Sequence, residues 1–300
     1  MLILPFLYSS FRFVIDQEID LKKGERIIPK IKVNDINIYY EIHGEGFPCV
    51  LIGGLSADVN WWTQEFIEAY SQNFKTIVFD NRGAGRSDKP KMDYTIKLFA
   101  DDTVGLMDAL NIEKAHVSGV SMGGGIAQEV AINYPQRVEK LILMCTACGG
   151  SESIIASDEI LQTLGSRAED TPINEYYDRI MPTLFTEDFI NNNPDFIEIY
   201  KNQILKTPIP YDSYQRQMAA IAIADTSLRL KKIIAPTLIL HGREDILVPP
   251  DNAEVLEKGI PNAKRIILDE KAHILFQPNL DKLKNAITRF LLEKVEMEVV

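Results

Sequence analysis

Apolar and polar positions repeat with two different periods along this chain. Ile31-Lys32-Val33 and Ile36 to Ile42 alternate apolar with polar residues and are rich in β-branched and aromatic side chains. That pattern predicts half-buried strands, closed here by the turn residues Gly44-Glu45-Gly46. Short, mostly apolar runs follow at Cys49 to Ile52, Thr76 to Phe79, His116 to Val120, Leu141 to Cys145, Thr237 to Leu240 and Arg265 to Leu268. Bounded by turns, such runs predict buried strands of a parallel sheet, covered on both faces. Between them, Ile96 to Leu110 carries Ile96, Leu98, Phe99, Val104, Leu106, Met107 and Leu110, close to the helical period of about 3.6 residues. Met122 to Tyr134 follows the third apolar run directly, and Asn279 to Leu292 closes the pattern. Strand and helix in alternation predict an α/β fold with a mostly parallel, doubly wound sheet.

The rhythm breaks between residues 150 and 230. Helix-like segments lie at Asp158 to Gly165, Asn174 to Met181 and Tyr211 to Ala224, divided by Pro172, Pro182, Pro194, Pro208 and Pro210. This predicts a helical cap, or lid, at 150–230, inserted over the end of a sheet built from 31–149 and 231–300. Residues 1–30 read as an N-terminal extension. Their apolar start, Met1 to Leu7, has no basic residue before it, is broken by Pro5 and is followed by Arg12, unlike a secretion signal. It is also too short to span a bilayer.

Composition narrows the partners. The 300 residues carry a formal net charge of −11. That charge repels phosphate backbones and anionic lipid, so neither nucleic acid nor a membrane is expected as a partner. A small molecule is the expected partner, with monomer and homodimer both open. Three cysteines, Cys49, Cys145 and Cys148, give no disulfide framework and fit a cytoplasmic protein. Cys145-Thr146-Ala147-Cys148 has redox or metal spacing but no second pair, and reads as small residues ending a buried strand.

The chemistry centres on Gly119-Val120-Ser121-Met122-Gly123, a G-x-S-x-G run between a predicted strand and a predicted helix. There a sharp turn lifts the serine hydroxyl above the sheet, at a helix N-terminus that favours developing negative charge. The alternative is an ordinary serine N-cap. A serine nucleophile needs a base. Of His43, His116, His241 and His273, the first two lie in strands and His241 ends one, which suits a buried structural role. His273 lies in a loop between the last strand and the last helix, in the chain order Ser, Asp, His. Asp245, after the fifth apolar run, is the candidate acid that orients the imidazole, with its neighbour Glu244 as rival. Glu152 lies too far along its loop. The amides of Met122 and, from Gly53-Gly54-Leu55, of Leu55 are the candidate oxyanion donors. Trp61 and Trp62, read as starting a helix, are candidates for the pocket wall, and Met181, Leu184 and Phe185 for the lid.

With those motifs in place, residues 31–295 resemble the α/β-hydrolase superfamily. The likeness is to its serine esterase and lactonase group, and 3-oxoadipate enol-lactonases in particular. Asp80-Asn81-Arg82-Gly83-Ala84-Gly85-Arg86-Ser87-Asp88, Gly119 to Gly124, Gly242-Arg243-Glu244-Asp245 with Pro249, and the His273 loop carry the resemblance. It implies an α/β-hydrolase fold and makes the Asp80 to Asp88 stretch, which lacks the phosphate-loop pattern, a structural loop beside the nucleophile. Two positions depart from the family: Gly53-Gly54 stands where members have His-Gly, and Ala272-His273 where many have Gly-His. Ser121 separates the chain from epoxide hydrolases and haloalkane dehalogenases, which carry aspartate there. The implied function is a cofactor-free and metal-free serine hydrolase that cleaves a small carboxylic ester or lactone through an acyl-enzyme. The alternatives are an acyltransferase or perhydrolase, a C–C bond hydrolase acting on a diketone, and a non-enzymatic ligand receptor on the same scaffold.

Overall fold

The computed structural model describes residues 30–293, so the N-terminal extension falls, but for Lys30, outside the described residues. Eight strands form one sheet: β1 (Lys30–Val33), β2 (Ile36–His43), β3 (Pro48–Ile52), β4 (Lys75–Phe79), β5 (Ala115–Val120), β6 (Val138–Met144), β7 (Thr237–Gly242) and β8 (Ala263–Leu268). Their spatial order is β1-β2-β4-β3-β5-β6-β7-β8. The first two join antiparallel, and every pair from β4 to β8 is parallel. This is the α/β-hydrolase arrangement expected above.

The apolar runs have a simple cause. Both faces of the sheet are covered at β3 to β7, so neither set of alternating side chains meets water there; β8, at the edge, leaves Arg265 and Ile266 exposed, which corrects the buried strand expected at Arg265 to Leu268. Val50, Ile52, Val117, Leu141, Leu143 and Ile239 pack against α2 (Ile96–Ala109), α3 (Met122–Asn133) and α9 (Asp251–Gly259) on one face. Cys49, Leu51, Ile142, Met144, Leu238 and Leu240 pack on the other face, with α1 (Gln64–Ser71) and α10 (Asp281–Leu292). Register brings Ile52 beside Gly119, and Gly119 beside Leu143. The ends of β3, β5 and β6 therefore finish level, where open α/β sheets bind ligands.

Between β6 and β7 the chain leaves the sheet and forms α4 (Asp158–Gly165), α5 (Ile173–Leu184), α6 (Glu187–Asn192), α7 (Pro194–Ile204) and α8 (Tyr211–Ala222). The expected helix at 174–181 runs on to Leu184, with Pro182 in its last turn. Neither α6 nor α7 was expected. Pro194 opens α7 at a position where its missing N–H has no helical partner to lose, so a proline read as a divider is a start. Trp61 and Trp62 do not begin a helix: Trp61 ends a short 3-10 turn, Thr63 caps, and α1 starts at Gln64. Among the described residues no helix is long and apolar enough to cross a membrane.

His116 illustrates what burial in this sheet costs. It sits at a register irregularity of β5, against the rings of Phe47 and Phe74, and its Nδ1 has no hydrogen-bond partner among the described residues. Burial, reinforced by the Lys140 charge, pushes its pKa down to about 4 from 6.5. The folded state thus holds His116 neutral while the unfolded chain takes up a proton below about pH 6.5. The associated stability is complete above pH 6.5 and is lost as pH falls towards 4. The shift corresponds to about 3 kcal/mol. We expect urea unfolding of His116→Phe to show a drop in stability between pH 7 and pH 4 smaller than that of the wild type by about this amount. An equal drop in both proteins would remove His116 from the acid limb.

Candidate active site

The candidate nucleophile stands on a backbone forced into shape by its neighbours. Ser121 has φ 55° and ψ −123°, in the left-handed half of backbone space that costs an L-residue energy. The turn needs glycine on both sides. A Cβ on Gly119 would lie 2.1 Å from the Gly123 carbonyl oxygen, and one on Gly123 would lie 2.1 Å from that of Ile52. The Ser121 N–H donates to Met144 O at 2.9 Å, and its carbonyl accepts from the Gly124 amide and the Thr146 hydroxyl. The backbone is thus pinned to β6, while the hydroxyl makes no capping bond to α3. An ordinary N-cap would have extended angles and would spend that hydroxyl on the helix.

His273 and Asp245 meet above the sheet. His273 Nδ1 lies 2.8 Å from Asp245 Oδ2, and both side chains are buried. The approach of their loops depends on Gly242, where a Cβ would stand 2.1 Å from Ala272 O. The Leu247 and Val248 amides donate to Asp245 Oδ1 at 3.0 and 2.9 Å. His241 lies beneath the pair, as the buried histidine expected from its place in the strand. Its Nε2 is 2.8 Å from Val248 O and 3.2 Å from Asp245 Oδ2, so the proton belongs on that nitrogen. Burial alone would raise the Asp245 pKa. The His273 charge and the hydrogen bonds from His241 and His273 outweigh it and hold the carboxyl well below the usual range. Asp245 is therefore an anion at neutral pH, and its acceptor oxygen fixes the His273 proton on Nδ1. Glu244 points into solvent from the same loop, and Glu152 is exposed.

Leu55 and Met122 lie on the floor of the same cavity, and neither amide N–H has an acceptor among the described residues. Gly54 presses on the nucleophile: a Cβ there would be 3.2 Å from that of Ser121. The Asp80 to Asp88 loop braces this turn. Asn81 Nδ2 donates to Gly53 O at 3.0 Å, and Gln217 of α8 bridges Arg82 O to the Ser56 amide. Arg82 is itself locked, forked onto Asp102 with bonds of 2.7 and 2.9 Å.

The cavity measures about 300 Å³ and is lined by Ser121, His273, Leu55, Met122, Trp61, Trp62 and Leu184. Met181 and Phe185 do not line it, which corrects that expectation. Tyr177, Ile180 and Leu184 follow each other at helical spacing along α5 and face the cavity, whereas Met181 and Phe185 fall on the flank. Phe185 packs instead among Phe189, Phe196 and Tyr200. Tyr176, Tyr177, Ile180 and Tyr214 were missed, although the same spacing was there to be counted. Tyr176 and Tyr214 bond to each other at 2.7 Å, while the Tyr177 hydroxyl has no partner among the described residues.

One trio has metal-ligand chemistry: Cys145, Asp245 and His273 offer atoms within 4.8 Å of one another. Asp245 and His273 are already bound to each other. Burial, helped by the Asp245 charge, pushes the Cys145 thiol far above its ordinary pKa, so it stays protonated and a poor ligand. Cys145 and Cys148 are both buried and unpaired, as expected of small residues ending a strand.

A family model described as the alpha/beta hydrolase fold matches residues 48–279. The chain belongs to the α/β-hydrolase family. This hydrolase is 29% identical over 254 residues to a poly(3-hydroxyalkanoate) depolymerase of Ectopseudomonas oleovorans, covering 84% of this chain and 87% of the other. It is 29% identical over 271 residues to a 2-hydroxy-6-oxo-6-phenylhexa-2,4-dienoate hydrolase of Comamonas testosteroni, covering 87% and 93%. The crystal structure of the enol-lactonase from Burkholderia xenovorans LB400 superposes with a TM-score of 0.79 at 28% identity, covering 88% of this chain and all of that one. The likeness to enol-lactonases drawn from the motifs therefore extends to the whole described fold.

Asp245→Asn should lower kcat for 4-nitrophenyl acetate by about a thousandfold or more, because the amide permits the wrong imidazole tautomer. Glu244→Gln should stay within about twofold of the parent. Reversal of that order would exchange the roles of the two acids.

Proposed function

We propose that this hydrolase cleaves a small carboxylic ester or lactone through an acyl-enzyme formed on Ser121. The observation that carries the reading is the convergence on one cavity of two groups. One is a serine whose hydroxyl is left unspent on a strained turn. The other is a histidine whose Nδ1 lies 2.8 Å from a buried carboxylate. Ser121 Oγ attacks the carbonyl carbon while His273 Nε2 takes the hydroxyl proton. The oxyanion then accepts hydrogen bonds from the Leu55 and Met122 amides, each worth roughly 3 kcal/mol in such sites. Asp245 stabilises the imidazolium. Collapse breaks the carbon–oxygen bond of the ester, and His273 returns the proton to the leaving oxygen. Water, deprotonated by His273, attacks the acyl-enzyme and frees the acid and Ser121.

In this reading residues 150–230 form a cap over the core of 31–149 and 231–300, and the cap residues lining the cavity select the substrate. The steps use only groups of the protein and water, so no cofactor is required. A soluble cytoplasmic enzyme acting on a small molecule fits the acidic chain. A second reading, C–C bond hydrolysis of a diketone by the same three residues, is favoured by the likeness to the dienoate hydrolase.

A fluorophosphonate probe should label the wild type at Ser121. Ser121→Ala should escape labelling and lose at least about a thousandfold in turnover of 4-nitrophenyl acetate. Undiminished turnover by the variant would overturn the acyl-enzyme. Inert esters together with cleavage of a diketone would move the assignment to the second reading.

A further inference from the structure

The wall of the cavity is uniform in charge. Apart from the candidate base His273, it carries no side chain of lysine, arginine, histidine, aspartate or glutamate. Its remaining polar groups are neutral: hydroxyls, the indoles of Trp61 and Trp62, the Cys148 thiol and backbone; two of its phenols, Tyr176 and Tyr214, are already spent on each other and on Leu164 O. A candidate for a counter-charge behind the wall is Arg167, a buried guanidinium with no carboxylate partner among the described residues. It does not line the cavity. It lies against the outer side of the tyrosine wall, 4.8 Å from the Tyr214 ring centroid, and its Nη2 donates to Ile209 O.

The rim is apolar as well. Ile154, Ile155, Leu161 and Ile221 all line the cavity and are all exposed, Ile155 to 69%. The backbone at one of them is pinned. Buried Asn252 of α9 accepts from the Ile154 amide at 2.9 Å and donates to its carbonyl at 2.8 Å, which ties this part of the rim to α9. An aliphatic rim, a largely aromatic wall and an apolar floor thus line one cavity leading from solvent to Ser121.

Resting on the ester hydrolase reading above, we propose that the substrate is an uncharged ester or lactone with an apolar chain that runs from Ser121 out along this aliphatic rim. Substrates bearing a free carboxylate are rejected. A carboxylate entering this cavity would lose its water and find no cation, and an unpaired buried charge is among the most unfavourable groups a protein can hold. The net charge of −11 acts in the same direction at longer range.

The test compares 4-nitrophenyl octanoate with mono-4-nitrophenyl suberate at pH 7, two esters of equal chain length that differ at the far end as methyl against carboxylate. The wild type should show kcat/KM at least about a hundredfold higher for the octanoate. Leu161→Arg, which adds a cation at an exposed rim position, should narrow that ratio by about fivefold or more. Equal rates, or a preference for the suberate, would overturn the proposal and point to Arg167 as a substrate-binding cation. Turnover of 4-nitrophenyl acetate with no preference for the octanoate would overturn the apolar chain alone and leave the ester hydrolase reading standing. Failure to cleave any of the three esters would overturn that reading, and this proposal with it.

Discussion

Everything at this site hangs from one close approach, that of α3 to the ends of β3 and β5. Gly123 passes so near Ile52 O, and Gly119 so near Gly123 O, that a methyl group at either position would have to displace backbone. The serine between them takes positive φ because nothing else connects strand to helix at that spacing. Such strain persists only where the surroundings over-determine it. Here the fixed points are the Met144 carbonyl, the Thr146 hydroxyl and the glycine turn at Gly53-Gly54, which itself hangs on Asn81. Loosening any of them would let Ser121 relax towards an ordinary helix cap.

The candidate acid and base depend on a second close approach of the same kind. Gly242 lets the His273 loop cross the end of β7, and Asp245 is then surrounded by donors: two amides and two imidazoles. A buried carboxylate is tolerable only with such compensation. The cluster is rigid because each partner is fixed from behind, His241 by Val248 O and His273 by the chain that continues to Ile274, whose amide donates to Leu184 O of the insertion. That last bond links the base loop directly to the helices that wall the cavity.

The insertion works by a different logic. Its contribution is shape and absence of charge rather than reacting groups. Tyr177 of α5 and Tyr200 of α7 pack on Trp61, and the Phe185, Phe189, Phe196 and Tyr200 cluster stiffens the outer layer. The wall is therefore a packed structure in its own right, and Arg167 lies against its tyrosines without lining the cavity.

The part of the molecule governed by local rules could be read from the chain. Runs of β-branched residues become strands in any α/β setting, glycines at 119 and 123 permit one kind of turn, and chain order separates His273 from three other histidines. The sheet, its helices and the nucleophile turn were legible for that reason. Asp245 was preferred to Glu244 as the candidate acid from chain position alone; the difference the structure adds is tertiary, since Asp245 is buried beside two imidazoles and Glu244 faces water. The cavity wall was decided by packing alone. Leu184 faces the cavity, and Met181 and Phe185 do not, because a helix presents only one side to a given space, and which side depends on neighbours distant in the chain. The same holds for α6 and α7: Pro194 between them read as an interruption until the structure showed it starting α7. Local sequence could name the candidate reacting groups; only the folded chain could decide what surrounds them, because burial and the absence of a counter-charge are properties of many segments at once.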